Sequence, residues 1–161
     1  MRLYLAHEGY SISEKENARQ PLSDEGRISL QKLASFLARG KFAISSVFHS
    51  NKLCAKQTAI ILSQGLGAGR VVQESPVPID TDHDVKPLHK TIESNVNLNF
   101  DGALLVADRI FLDRFLSYLI CREMEPALLV FDPGTFVSIE RRVNTSQWII
   151  QWVVRPNLLG I

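Results

Sequence analysis

Residues 103 to 107 read ALLVA, a continuous apolar run with no polar residue at either phase of a two-residue period. A strand written this way has to be covered on both faces, which restricts the chain to a layered fold with helices above and below a sheet. The text that follows, DRIFLDRFLSYLI, places apolar residues at 111, 112, 115, 116 and 119, the spacing of one helical face. Strand followed by helix is the unit from which such layers are built.

The same unit occurs twice upstream. Arg2 to Ala6 is a short apolar strand ended by a turn at Gly9, and Ser11 to Gln20 is polar and aperiodic. Ile28, Leu30, Leu33, Ala34 and Leu37 then recur at near-helical spacing, predicting a helix from Asp24 to Arg39 with Ser23 as N-cap and Gly40 as its stop. Phe42 to His49 reads as a second strand and Leu53 to Gln64 as a second helix, closed by the glycine-rich QGLGAG. Between Arg70 and Asn99 prolines and aspartates interrupt any pattern, and only a weak helical period survives near the end. The C-terminal part predicts strands at Ala127 to Phe131, Phe136 to Glu140 and Gln147 to Val154, with Trp148 and Trp152 on one strand face by their even spacing. The expected architecture is a three-layer α/β/α domain with a mainly parallel sheet and an antiparallel edge.

With 161 residues, 45% of them hydrophobic, the chain suits one domain spanning 1–161. A net charge of +1 gives no global attraction to nucleic acid or to an anionic membrane, so neither is expected as a partner. Two cysteines, Cys54 and Cys121, are too few for a disulfide scaffold, and no apolar run approaches the roughly 20 residues that span a bilayer. No secretory leader pattern opens the chain, so the cytoplasm is the expected compartment and the acceptor-like Asn144-Thr145-Ser146 is read as chance.

In open α/β sheets, ligands sit beyond the carboxyl ends of the strands. That rule selects His7 and Glu8 after the first strand, His49 and Ser50 after the second, and Asp108 after ALLVA, with Lys52, Lys56 and Arg109 close by in sequence. If the three strands are parallel neighbours, these residues share one pocket.

The framework around them resembles the histidine phosphatase superfamily, which is phosphoglycerate mutase-like in fold, and in particular its small SixA-type phosphohistidine phosphatases. The likeness runs from Met1 to about Pro156. MRLYL matches the first strand, PLSDEG the P-L-T-x-x-G helix entry, SNKLCAKQTA the S-P-x-x-R-A-x-Q-T motif, ALLVAD the strand ending in G-H or S-H, FDPGTFVSIE the late hairpin and WIIQWVVRP the final strand. The resemblance implies an R-H-G after strand one whose histidine is transiently phosphorylated, two arginines and a second histidine that neutralise the oxyanions, and an acid for the leaving group.

Those positions are where this chain departs. Aligned without gaps, the arginine and the nucleophile of R-H-G fall on His7 and Glu8, the second arginine on Cys54 and the second histidine on Asp108, with Gly9 retained. A site of guanidinium and imidazole groups thus becomes one of two carboxylates, a thiol and an imidazole. Each like-charge contact at about 4 Å costs roughly 1 kcal/mol in water and about 4 at an effective dielectric of 20, so phosphate is expected to bind poorly. A one-residue gap would instead put His7 on the nucleophile, as A-H-E, at the expense of the Gly9 match.

Simpler accounts exist for each residue. His7 and Glu8 suit a solvated polar turn, Asp108 suits an N-cap, Cys54 suits an inert buried thiol, and His49 suits a packed strand end. His83 within DTDHD, and His89, read as parts of a solvated excursion. No cofactor is expected. The expectation is a SixA-like homologue inactive as a phosphatase, with a binding or regulatory role whose partner is a phosphoprotein or an active phosphatase. The alternatives are a phosphatase with a non-standard site, or a pocket in which His7, Glu8, Cys54 and Asp108 collect a divalent metal, zinc first.

Overall fold

The computed structural model describes residues 1–67, 71–94 and 99–161. The end of the glycine-rich stop, 68–69, and parts of the excursion, 70 and 95–98, lie outside the described residues. Among the described residues eleven elements follow in order: β1 (Arg2–His7), α1 (Asp24–Leu37), β2 (Ser46–His49), α2 (Leu53–Gly65), β3 (Val72–Glu74), α3 (Lys86–Ser94), β4 (Ala103–Ala107), α4 (Arg109–Cys121), β5 (Phe136–Arg141), β6 (Trp148–Val154) and a closing 3-10 helix (Pro156–Leu159). The sheet order is β3-β2-β4-β1-β5-β6.

ALLVA is the centre of the molecule. β4 lies between β2 and β1, parallel to both, and each of its five residues is buried. Its alternate side chains feed two cores. Leu3, Leu5, Ala103, Leu105 and Ala107 pack with Leu88, Ile92, Phe111 and Phe115 under α3 and α4. Tyr4, Ala6, Leu104 and Val106 pack with Leu30, Leu33, Ala55 and Leu62 under α1 and α2. This two-sided burial makes the three layers that the apolar run demanded.

The sheet is mixed and not mainly parallel, because β5 and β6 both join antiparallel. α4 carries the chain back towards the start of β1, and residues 122–135 then return it to the other end, where the Gly134 N–H donates to the His7 carbonyl at 3.1 Å. From there β5 can only run against β1.

Three other expectations are corrected. α1 ends at Leu37, and the chain leaves it through a right-handed Ala38 without using Gly40 as a left-handed stop. β2 begins only at Ser46, since Phe42 turns away to pack on Tyr4 and Trp152. Residues 127 to 131 form no strand: β1 already has β4 and β5 on its two sides, and the segment crosses the end of the sheet burying Phe131 while Leu128 and Val130 stay exposed.

The two tryptophans also separate. The β5–β6 register pairs Trp152 with Ser138 but Ile150 with Ile139, so Gln151 is an extra residue in a β-bulge. One extra residue reverses the alternation. Trp148 consequently enters the core beneath α4, whereas Trp152 packs on the α1 side with Tyr4, Phe42 and Phe136.

Candidate functional site

β2, β4 and β1 are parallel neighbours, so the ends selected from the sequence do meet. The Glu8 N–H donates to the Ala107 carbonyl at 3.1 Å, which prolongs the β1–β4 ladder by one residue before the chain turns. The turn is held by the Gly9 N–H, which donates to Thr58 Oγ1 at 3.0 Å. Gly9 fits closely there: a Cβ would stand 2.7 Å from Leu30 Cδ1, so the leucine would have to shift.

Asp108 ties three segments together. Its Oδ1 accepts from the Phe111 N–H at 2.9 Å as the N-cap of α4, and its Oδ2 accepts from the Thr81 N–H at 2.9 Å. Lys52, at the N-cap position of α2, then places Nζ 3.4 Å from Asp108 Oδ2 and 3.8 Å from Glu8 Oε1. The Lys52 side chain is 43% exposed, while those of Glu8 and Asp108 are 13% and 8% exposed. Burial pulls the Lys52 ammonium down, but Glu8 and Asp108 outweigh it and hold its pKa above the ordinary value.

Glu8 feels the opposite balance. Burial raises its pKa, with Asp108 adding to the rise and Lys52 opposing it. Cys54, in the first turn of α2, hydrogen-bonds Glu8, and burial together with that carboxylate pushes its thiol up to about 12. It therefore remains a thiol at neutral pH, unlike a cysteine activated at a helix start.

His7 leaves β1 on the other side, towards the backbone of Phe131 and Asp132. Burial holds its pKa below the ordinary value against the Asp132 backbone and the Asp108 carboxylate, which raise it, and Arg109, exposed at the start of α4, adds a smaller lowering. His49 is buried with its Nδ1 2.6 Å from the Ser50 carbonyl. His7 Nδ1, Glu8 Oε2 and Ser50 Oγ are buried without a hydrogen-bond partner among the described residues.

Glu8, Cys54 and Asp108 thus gather about Lys52, whereas His7 turns towards the Phe131 and Asp132 backbone. Among the described residues no group of three His, Cys, Asp or Glu side chains could hold a metal ion. That geometry gives the zinc alternative no ligand set among the described residues. In DTDHD, Asp80 Oδ1 accepts from the Asp82 N–H at 3.0 Å and lies 2.6 Å from His83 Nδ1, a locally closed turn. His89 lies apart, 3.0 Å from an Arg122 guanidinium nitrogen. Lys56 is exposed on α2 and makes no ion pair among the described residues.

Sequence reasoning did not find Thr81, whose backbone N–H meets a carboxylate 27 residues away and carries no spacing signal. Thr58 stands at the threonine of the matched S-P-x-x-R-A-x-Q-T motif, but its bond to Gly9, 49 residues away, was not readable. The bridging role of Lys52 was equally hidden, although its position next to an α2 start was readable.

No protein-family model matches this chain, and no curated protein sequence matches it. Solved structures do. The chain is similar to the protein histidine phosphatase SixA complexed with tungstate, with a TM-score of 0.83 and 18% identity over 99% of each chain. It is similar to the alpha-ribazole phosphatase from Shigella flexneri, with a TM-score of 0.71 and 15% identity over 97% of each chain. It is also similar to phosphoglycerate mutase from Bacillus anthracis, with a TM-score of 0.67 and 12% identity over 99% of this chain and 95% of that one.

Proposed function

We infer that this chain, which has the histidine phosphatase superfamily fold, is a SixA-like homologue that does not act as a phosphatase and serves a binding or regulatory role. The observation that carries this reading is the position of Lys52 between Glu8 and Asp108. The cation that could greet a phosphoryl group is engaged by two carboxylates standing where the resemblance expects the nucleophile and the second histidine. An arriving phosphate would meet those carboxylates, each opposing it by about 4 kcal/mol at 4 Å and an effective dielectric of 20. A single ammonium does not offer the bidentate fork of the two missing arginines. The partner in such a role would be a phosphoprotein or an active phosphatase, in the cytoplasm.

The test is hydrolysis of p-nitrophenyl phosphate and of a phosphohistidine protein by the purified chain. No turnover above that of an unrelated protein is expected. Turnover that disappears in the Glu8→Ala or His7→Ala variant would sink the proposal. A second reading keeps a phosphatase that uses His7, and it is favoured by a ring Nδ1 that is buried without a hydrogen-bond partner among the described residues. Loss of turnover in His7→Ala alone would select that reading.

A further inference from the structure

We propose that the outer edge of β6 and the cleft beside it bind an extended, acid-flanked apolar segment of a partner protein, which adds to the sheet as a further strand. Three independent observations meet at this place, on the side of the molecule away from Asp108.

The first is the edge itself. β6 ends the sheet, so its outer row of N–H and C=O groups pairs with no strand among the described residues. The opposite edge, β3, is only three residues long, and shortness is one way of blunting an edge. β6 is seven residues long, WIIQWVV, with no charge and no proline. Its bulge at Gln151 is the one protective device present, and it leaves Trp152, Val153 and Val154 in regular register with Ser138, Val137 and Phe136.

The second is the apolar surface along that edge. Phe36, Leu37, Phe42, Trp152 and Val154 line a cleft of about 410 Å³ between the end of α1 and β6. Its floor is aromatic, with Phe136 and Trp152 stacked at 5.9 Å and Phe42 against Trp152 at 5.4 Å. On the other face of β6, Ile150 and Val153 are exposed. An added strand alternates its side chains between two faces, so it would find apolar contacts on both.

The third is charge. Arg2, Arg39 and Lys41 rim the cleft, and Arg2 is already paired with Glu140 at 3.4 Å. Arg39 and Lys41 are exposed and make no ion pair among the described residues. These two cations select acidic flanks in the partner. A second copy of this chain would offer β6, which has no acid, and would leave both cations unanswered.

The experiment uses a short fluorescein-labelled peptide that alternates valine and phenylalanine with threonine between paired aspartates at each end. Fluorescence anisotropy is measured on the wild type, on the exposed-edge variant Val153→Lys, on the double variant Arg39→Glu/Lys41→Glu and on Lys15→Glu, an exposed position outside the cleft, each checked for its fold by circular dichroism. Binding is expected to weaken at least about tenfold in the edge and charge variants, and for a peptide with lysines in place of aspartates, but not in Lys15→Glu. Hydrogen exchange should show the peptide protecting amides within 148–154. No binding, equal binding by all variants, or protection confined to other segments would overturn the proposal. So would concentration-dependent self-association that Val153→Lys abolishes, which would assign the edge to a second copy.

Discussion

The Nζ of Lys52 lies 3.4 Å from Oδ2 of Asp108, and the same carboxylate caps α4 and receives the Thr81 N–H. One buried side chain therefore anchors the starts of α2 and α4 and the loop at 81. Its presence has a structural reason independent of any reaction.

Asp108→Ala should destabilise the chain by about 1 to 2 kcal/mol for the lost cap, with a further loss from the unanswered Thr81 N–H. Asp108→Asn keeps an acceptor for the Phe111 N–H and should lose less. Urea denaturation of the two variants provides the comparison; equal losses would contradict the capping role.

Glu8→Gln should raise the melting temperature at neutral pH. Burial sets the folded pKa of Glu8 above its ordinary 4.5, so the folded state binds more protons than the unfolded chain between those values. Its contribution to stability is complete below about 4.5 and is lost as pH rises through the folded value. Glutamine cannot ionise, so melting curves from pH 4 to 8 should show the variant gaining on the wild type as pH increases.

Cys54 and Cys121 should differ in reactivity. With its pKa at about 12, Cys54 is a buried thiol at pH 8, whereas Cys121 is exposed. Iodoacetamide at pH 8 should label the folded chain at Cys121 alone, and urea should expose the second site, as read by peptide mass spectrometry.

Restoring the aligned motif tests whether the framework retains the capacity for phosphoryl transfer. The quadruple variant His7→Arg, Glu8→His, Cys54→Arg, Asp108→His should hydrolyse p-nitrophenyl phosphate at least about 100-fold faster than the wild type, while each single change should leave the rate near background. Groups that act as a unit are not additive, and Lys52 is released only when both carboxylates are gone. A folded but inactive quadruple variant would show that the surrounding loops also differ.

Deleting Gln151 should destabilise the chain by about 2 to 4 kcal/mol, because a restored alternation forces Trp148 or Trp152 out of its own core. Near-ultraviolet circular dichroism and the urea midpoint report the change. An unshifted midpoint would mean that the bulge simply relocates.

Much of the fold was legible because it depends on local pattern. Ser23 caps α1 by accepting from the Gly26 N–H at 3.0 Å, as its position before a periodic run implied. The apolar set at 111, 112, 115, 116 and 119 is buried as a face of α4. Residues 127 to 131 misled because they are strand-like in composition, whereas the sheet has no place left beside β1. Even spacing misled for Trp148 and Trp152 because a bulge has no mark in the text.

The sequence by itself determined that the chain is layered, since ALLVA cannot be solvated on either face. It also determined which strand ends carry the polar residues His7, Glu8, His49, Ser50 and Asp108. Only the tertiary structure decided what those residues are to one another. Strand order brought β1, β4 and β2 together, and a lysine near the start of α2 then found two carboxylates from other parts of the chain. Charge and burial are properties of that assembled neighbourhood: the state of Glu8, Cys54 and His7 is set by groups that lie far from them in sequence but within a few ångströms in space.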